Sequence, residues 1–184
     1  MNIKLCKIEF ETDQLIKKEE LKKIRGFLGN QFIDKTLMHN HIEEGMRYSY
    51  PLIQYKFLKY KFFIIGINEG ADTLLSIVSQ IECFKIEEKI VNVTKKHIEI
   101  WEEEIKLGTG YKIYKFATPY FALNQKNFSI YNKLENKMEK KLFLNKILVG
   151  NILSLLKGLG IWADKEIICD IFFEDIKIIN FKTQ

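Results

Sequence analysis

Residues able to act on a phosphodiester crowd into one stretch of this 184-residue chain. His39 and His41 are separated only by Asn40, and the two arginines of the protein, Arg25 and Arg47, lie on either side of them. Elsewhere in the chain the basic side chains are lysine and one further histidine, His97. Arginine presents a planar fork that grips phosphate oxygens through paired hydrogen bonds, so its confinement to this stretch suits phosphate recognition. Histidine, with an unperturbed pKa of about 6.5, gives or takes a proton near neutral pH. In an extended segment residues i and i+2 share a face, which would let His39 and His41 flank one phosphate. Arg25, Arg47 or a neighbouring lysine would then supply positive charge, and Tyr48 or Tyr50 a hydrogen-bond donor or a base-stacking platform.

Spacing alone leaves two other readings open. The histidines could face solvent beside a polar turn, or bind zinc together with Glu43 or Glu44. No Cys-X-X-Cys or His-Glu-X-X-His pattern accompanies them. His97, in a charged strand-like run, reads as a surface residue.

The elements that must position this stretch begin with residues 2–11, whose alternation predicts a half-buried strand. A helix follows from near Lys17, with Glu19 and Glu20 in its first turn, where the helix dipole favours negative charge. Leu21, Ile24, Leu28 and Phe32 make its apolar face, while Lys18, Lys22, Arg25 and Gly29 recur on another, a basic stripe that leads toward His39. Glu43–Glu44–Gly45 reads as a turn, and strand signal resumes from Met46 to Phe57, with Pro51 marking an edge or bulge. Lys59–Tyr60–Lys61 reads as a hairpin turn into a strand at Phe62–Ile67. Asn68, Glu69 and Gly70 then open a helix over Ala71–Gln80. A glycine-bearing helix start can hold phosphate, but Glu69 and Asp72 would repel it, which favours capping. Residues 81–104 read as short strand-like runs. The order strand, helix, strand, strand, helix, strand is that of a ferredoxin-like unit.

Lys106–Gly110 is the best domain junction, dividing the chain into residues 1–105 and 106–184. The second part reads as a strand at Tyr111–Thr118, a weak helix at Phe128–Glu139 and a strong one at Lys140–Lys157. Strands are expected at Glu166–Phe173 and Ile176–Phe181. The narrow stripe Lys146, Gly150, Ser154 and Lys157 predicts another element lying close against the strong helix, with Gly158 and Gly160 as its C-cap residues. Phe116, Tyr120, Phe121 and Phe128 could stack on bases but read better as core at the junction. The fold class is therefore α+β, with tandem ferredoxin-like (RRM-like) domains, the second incomplete at its C-terminus.

Hydrophobic residues make up 47% of the chain, enough for a packed core and too many for a disordered one. The net charge of +5 permits an anionic partner without demanding one. Cys6, Cys83 and Cys169 are odd in number and set in apolar runs, so they read as buried free thiols of a reducing cytoplasm. Charges at Lys4, Lys7, Glu9 and Glu11 break any signal-peptide core, and no apolar run reaches the roughly 20 residues of a membrane span.

Six stretches resemble one branch of the CRISPR repeat-processing endoribonucleases: RGFLGNQF at 25–32, HNH at 39–41, YSYPLIQYK at 48–56, GINEGAD at 66–72, TPYFALNQKNF at 118–128 and GNILSLLKGLGIW at 150–162. They cover nearly the whole chain in the expected order. The resemblance implies two ferredoxin-like domains, cleavage of precursor CRISPR RNA within repeats without metal or other cofactor, and His39 and His41 as the catalytic pair. Lys18, Lys22, Arg25, Arg47, Tyr48 and Tyr50 are the expected RNA-binding residues. RNA is the expected partner, with a homodimer or other CRISPR effector subunits as further partners, and the cytoplasm the expected location. Family chains continue into a glycine-rich loop and a last strand, which nothing after Lys182 supplies. A non-catalytic RNA-binding remnant, or a structural subunit that completes its sheet with a partner chain, are therefore the alternatives to an active endoribonuclease.

Overall fold

The computed structural model describes residues 1–38, 50–106, 108, 110–118, 120 and 123–172, and the backbone alone of 41–42 and 45–46. The chain divides into two compact units, Met1–Thr118 with Gly158–Ile161 and Pro119–Lys157 with Trp162–Gln184.

In the first unit, β1 (Asn2–Thr12) buries Cys6, Ile8 and Phe10 while the intervening Lys7 and Glu9 stay partly exposed, so one face of the strand carries the core. A 3-10 turn over Lys18–Glu20 precedes α1 (Leu21–Gln31). The Glu20 carboxylate accepts the Lys17 N–H at 2.6 Å, satisfying a donor at the helix start. Ile24 and Leu28 of α1 are fully buried and Phe32 follows them into the core. Gly29, at the end of the expected basic stripe, is buried, so it lies toward the core and does not open the stripe to a ligand.

The strand expected over Met46–Phe57 is divided. A two-residue ladder joins β2 (His41–Ile42) to β3 (Gly45–Met46), and β4 (Ile53–Leu58) begins only after Pro51, which has no N–H for a ladder. From β4 the chain turns directly into β5 (Lys61–Ile67), with Lys59 and Tyr60 both in the left-handed region. Two successive left-handed residues match the twist of a tight hairpin. Next come α2 (Glu69–Ile77), β6 (Cys83–Ile86) and β7 (Lys89–Glu104). Residues 89–104, expected as short runs, form one long strand because β1 pairs with it along almost its whole length. The antiparallel sheet has the order β4-β5-β1-β7-β6, the ferredoxin-like arrangement extended by β6. Phe10, Phe62 and Phe84 meet in its core with ring centroids 5.2–5.5 Å apart, tying β1, β5 and β6 together.

Two glycines of the GINEGAD stretch are there for packing. A Cβ on Gly66 would lie 2.5 Å from the Gly70 carbonyl oxygen, and a Cβ on Gly70 would collide with the Leu52 carbonyl. The capping expected at Asn68 is not what its side chain does. Its Oδ1 accepts the Lys4 N–H at 2.9 Å, so Asn68 fastens the start of α2 to β1 and does not cap the helix.

In the second unit, α3 (Gln125–Lys133) starts with the Asn124 side chain accepting the Asn127 N–H at 2.8 Å. It is followed by the 22-residue α4 (Lys137–Gly158). The chain beyond α4 is tied back to it: Asn145 accepts the Ile171 N–H at 2.9 Å and Lys141 pairs with Asp170 at 2.6 Å. The strands expected at 111–118 and over the described part of 166–173 do not form. An alternating run becomes a strand only where a neighbour takes up its backbone groups; here Tyr111, Ile113 and Ile168 are instead largely exposed. Among the described residues nothing lies against Gly150 of the small-residue stripe of α4, since a Cβ there would meet nothing within 4 Å. Gly160 is left-handed, as expected of a residue ending the helix. Phe116 and Phe128 are more exposed than a junction core requires. Of the three thiols only Cys6 is buried; Cys83 and Cys169 are half-buried, and all three are free. No described helix is long and apolar enough to cross a membrane.

Candidate RNA-processing site

The candidate site lies where α1 leads into the histidine segment. Its approach is anchored from both sides. Met38, immediately before His39, is 2% exposed in the core and donates its N–H to the Lys35 carbonyl at 2.9 Å. On the far side, Ile53 returns the chain to the core as the first residue of β4. His41 stands opposite Met46 in the β2–β3 ladder, with Ile42 opposite Gly45. His39, Arg47 and Tyr48 lie outside the described residues, as do Glu43 and Glu44 of the alternative zinc reading. Among the described residues no three His, Cys, Asp or Glu side chains gather as metal ligands.

Lys18, Lys22 and Arg25 are exposed at the start and along α1. Their neighbours are neutralised: Lys23 pairs with Glu87 at 2.6 Å, Lys35 with Asp34 at 3.0 Å and Lys89 with Glu20 at 3.9 Å. Among the described residues Lys18, Lys22 and Arg25 have no such carboxylate partner. Exposed cations without an internal counter-ion attract a polyanion at no cost of breaking an ion pair.

Tyr50 is half-buried and its hydroxyl accepts a hydrogen bond from Gln54 Nε2 at 3.0 Å. Its Cβ lies where a Cβ on Gly158 would be, 2.6 Å away, so Gly158 is required for the fit of Tyr50 against this turn. One residue that the sequence did not single out sits beside these groups. Tyr55, on the core face of β4, has a buried hydroxyl without a hydrogen-bond partner among the described residues. Burial pushes its ionisation well above the ordinary tyrosine range, and the positive charge of Arg25 opposes that shift. Alternation places Tyr55 inward, but nothing in the sequence marks its hydroxyl as unpaired. His97 is partly exposed, with Nε2 2.5 Å from a Glu11 carboxylate oxygen. That contact holds the Glu11 carboxyl below its usual range, and it belongs to the outer face of the sheet.

Residues 1–104 match the model of the Cas6b N-terminal domain, and residues 106–184 match that of the Cas6b C-terminal domain. A crystal structure of Cas6b superposes with a TM-score of 0.78 at 31% identity, covering 90% of this chain and 76% of that one. A crystal structure of the CRISPR RNA processing endoribonuclease Cas6b gives a TM-score of 0.64 at 30% identity, covering 90% and 73%. The uncharacterized protein MJ0978 of Methanocaldococcus jannaschii is 29% identical over 106 residues, 58% of this chain and 71% of that protein. Family models that together run from the first residue to the last, in the order expected of the two domains, leave one assignment: the chain belongs to the Cas6b family.

Proposed function

We propose that this protein is a metal-independent endoribonuclease that cleaves precursor CRISPR RNA within its repeats in the cytoplasm. The observation that carries the reading is the likeness, over 90% of the chain, to a structure described as a CRISPR RNA processing endoribonuclease. Lys18, Lys22 and Arg25 support it, since they are exposed without carboxylate partners among the described residues and precede the histidine pair in the chain. In this reading residues 1–105 form the domain that carries the pair and residues 106–184 a second ferredoxin-like domain.

One of His39 and His41 takes the proton from the RNA 2′-hydroxyl, whose oxygen attacks the adjacent phosphorus. The other protonates the 5′-oxygen as its bond to phosphorus breaks. The products are a 2′,3′-cyclic phosphate and a 5′-hydroxyl. Lys18, Lys22 and Arg25 hold the RNA backbone, Arg47 offsets the charge that develops on the phosphoryl oxygens, and Tyr48 and Tyr50 orient the strand.

The test is incubation of the protein with repeat RNA from its own genome in EDTA, alongside His39→Ala and His41→Ala. The expected result is a single cut ending in a cyclic phosphate, slowed roughly 10²–10⁴-fold in either variant with RNA affinity retained. RNA bound but uncut by the unaltered protein would overturn the catalytic reading. Equal loss of binding and cleavage would make the histidines structural.

A further inference from the structure

A buried hydroxyl is normally paired, because a lone one forfeits its bonds to water and gains none in return. Tyr55 departs from this rule. It lies on the face of β4 that packs against the core, and its hydroxyl, shut off from solvent, has no partner among the described residues. A phenylalanine ring would fill the same space without the penalty, so packing does not explain the oxygen.

The neighbours of the hydroxyl narrow its use. The helix α1 packs against β4, and Arg25 of α1 stands close enough for its charge to act on the phenol. Arg25 is itself exposed, and no carboxylate pairs with it among the described residues. Burial favours the neutral phenol, whose oxygen carries lone pairs, whereas a guanidinium donates and never accepts. The two groups are therefore complementary in one sense only, with an Arg25 N–H donating to the Tyr55 oxygen. That bond is not made in this structure.

Arginine suits this place better than the lysines beside it. Its five N–H groups point in fixed directions, so two can grip phosphate oxygens while a third is turned inward. Lys18 and Lys22 carry point charges on flexible stems and cannot divide their donors in this way.

We infer that Tyr55 is a positioning residue for RNA binding. When the Arg25 fork engages a phosphate of the RNA backbone, a further N–H of the guanidinium donates to the Tyr55 oxygen and fixes the plane of the fork. A fork so fixed has less freedom left to lose to the RNA, which raises affinity. The inference rests on the RNA-binding role proposed for α1 and supplies a reason for arginine at position 25. Because the Tyr55 hydroxyl is buried, it acts through Arg25 and belongs to affinity, not to the chemical step.

The test is a double-mutant cycle read as affinity for repeat RNA at several salt concentrations, with kcat at saturating RNA and urea unfolding of each variant. Tyr55→Phe should bind roughly three- to tenfold more weakly at every salt concentration. Its salt slope should be unaltered, since no charge is removed, and neither kcat nor stability should fall. In an Arg25→Met background, which keeps the stem and removes the donors, Tyr55→Phe should cost less than about twofold. In a Lys22→Gln background it should keep its full effect. Equal losses in all three backgrounds, an unchanged affinity, a loss confined to kcat, or a less stable Tyr55→Phe protein would each overturn the inference while leaving the ribonuclease reading in place. An unaltered protein that binds no repeat RNA would instead remove that reading, and the inference with it.

Discussion

Asn68 and Lys4 grip each other through one peptide. Asn68 Oδ1 accepts the Lys4 N–H at 2.9 Å, and the Asn68 N–H donates to the Lys4 carbonyl at 2.8 Å. Lys4 Nζ then reaches Asp72 one turn into α2, at 2.6 Å. The central strand of the first unit therefore decides where α2 begins. Asn68 manages this at φ +49°, a conformation that asparagine tolerates better than other side chains except glycine.

That geometry orders two substitutions. Asn68→Gly keeps the backbone conformation and loses the side-chain bond, while Asn68→Ala loses the bond and strains the backbone. Alanine should cost about 2–3 kcal/mol and glycine about 1 kcal/mol in urea unfolding. If alanine were the milder of the two, backbone strain would have no part in the role of Asn68.

The glycines of the first unit and of α4 should respond in opposite directions. Gly70→Ala drives a methyl group into the Leu52 carbonyl, and backbone on both sides gives it nowhere to go. We expect a loss of about 3 kcal/mol or failure to fold. Gly150→Ala meets open space within a helix and should raise stability by about 0.5–1 kcal/mol. Thermal unfolding of the two variants decides the point, and a stabilised Gly70→Ala protein would contradict the close approach.

Tyr55 supplies a prediction with a pH signature. Its hydroxyl is buried without a partner among the described residues, so Tyr55→Phe should leave stability unchanged or raise it by about 1 kcal/mol at neutral pH. Its ionisation is raised in the folded protein by burial. Above the unfolded value of about 10 the unfolded chain sheds this proton and the folded one keeps it, so the stabilising contribution present below pH 10 is lost as pH rises. The native protein should therefore lose up to about 1.4 kcal/mol per pH unit more than Tyr55→Phe over that range. Parallel alkaline curves for the two proteins would rule out a buried phenol.

Much of the first unit was legible because its signals are local and agree with one another. The alternation of Cys6, Ile8 and Phe10 gave β1, the spacing of Ile24 and Leu28 gave α1, and Lys59–Tyr60 gave the hairpin. What escaped depends on partners distant in sequence. Asn68 looks like a cap until Lys4 is placed beside it, and the strand expected through Pro51 breaks where no ladder forms. After the long strand β7, Tyr111 and Ile113 alternate as a strand would, but a pattern of side chains does not supply a neighbour for the backbone. At the candidate site the types and order of the residues pointed to phosphate chemistry. The burial of Met38, which anchors the approach to His39, and the orphaned hydroxyl of Tyr55 required the packing.

The proposed RNA-binding role of α1 makes the sharpest distinction between adjacent residues. Lys22 and Lys23 are neighbours with the same charge, but Lys23 is held by Glu87 and Lys22 has no carboxylate partner among the described residues. In the proposed reading Lys18, Lys22 and Arg25 bind the RNA backbone, and removing any one of these charges should reduce the slope of log affinity against log salt by about 0.7 for a single strand. Lys18→Gln and Lys22→Gln should show that reduction, and Lys23→Gln should show almost none. Arg25→Lys keeps the charge and so the slope, but removes the planar fork, so it should bind more weakly at every salt concentration. At saturating RNA these variants should cleave at nearly the unaltered rate, in contrast to His39→Ala and His41→Ala. Equal effects at Lys22 and Lys23 would mean that overall charge, and not this face of α1, governs the affinity.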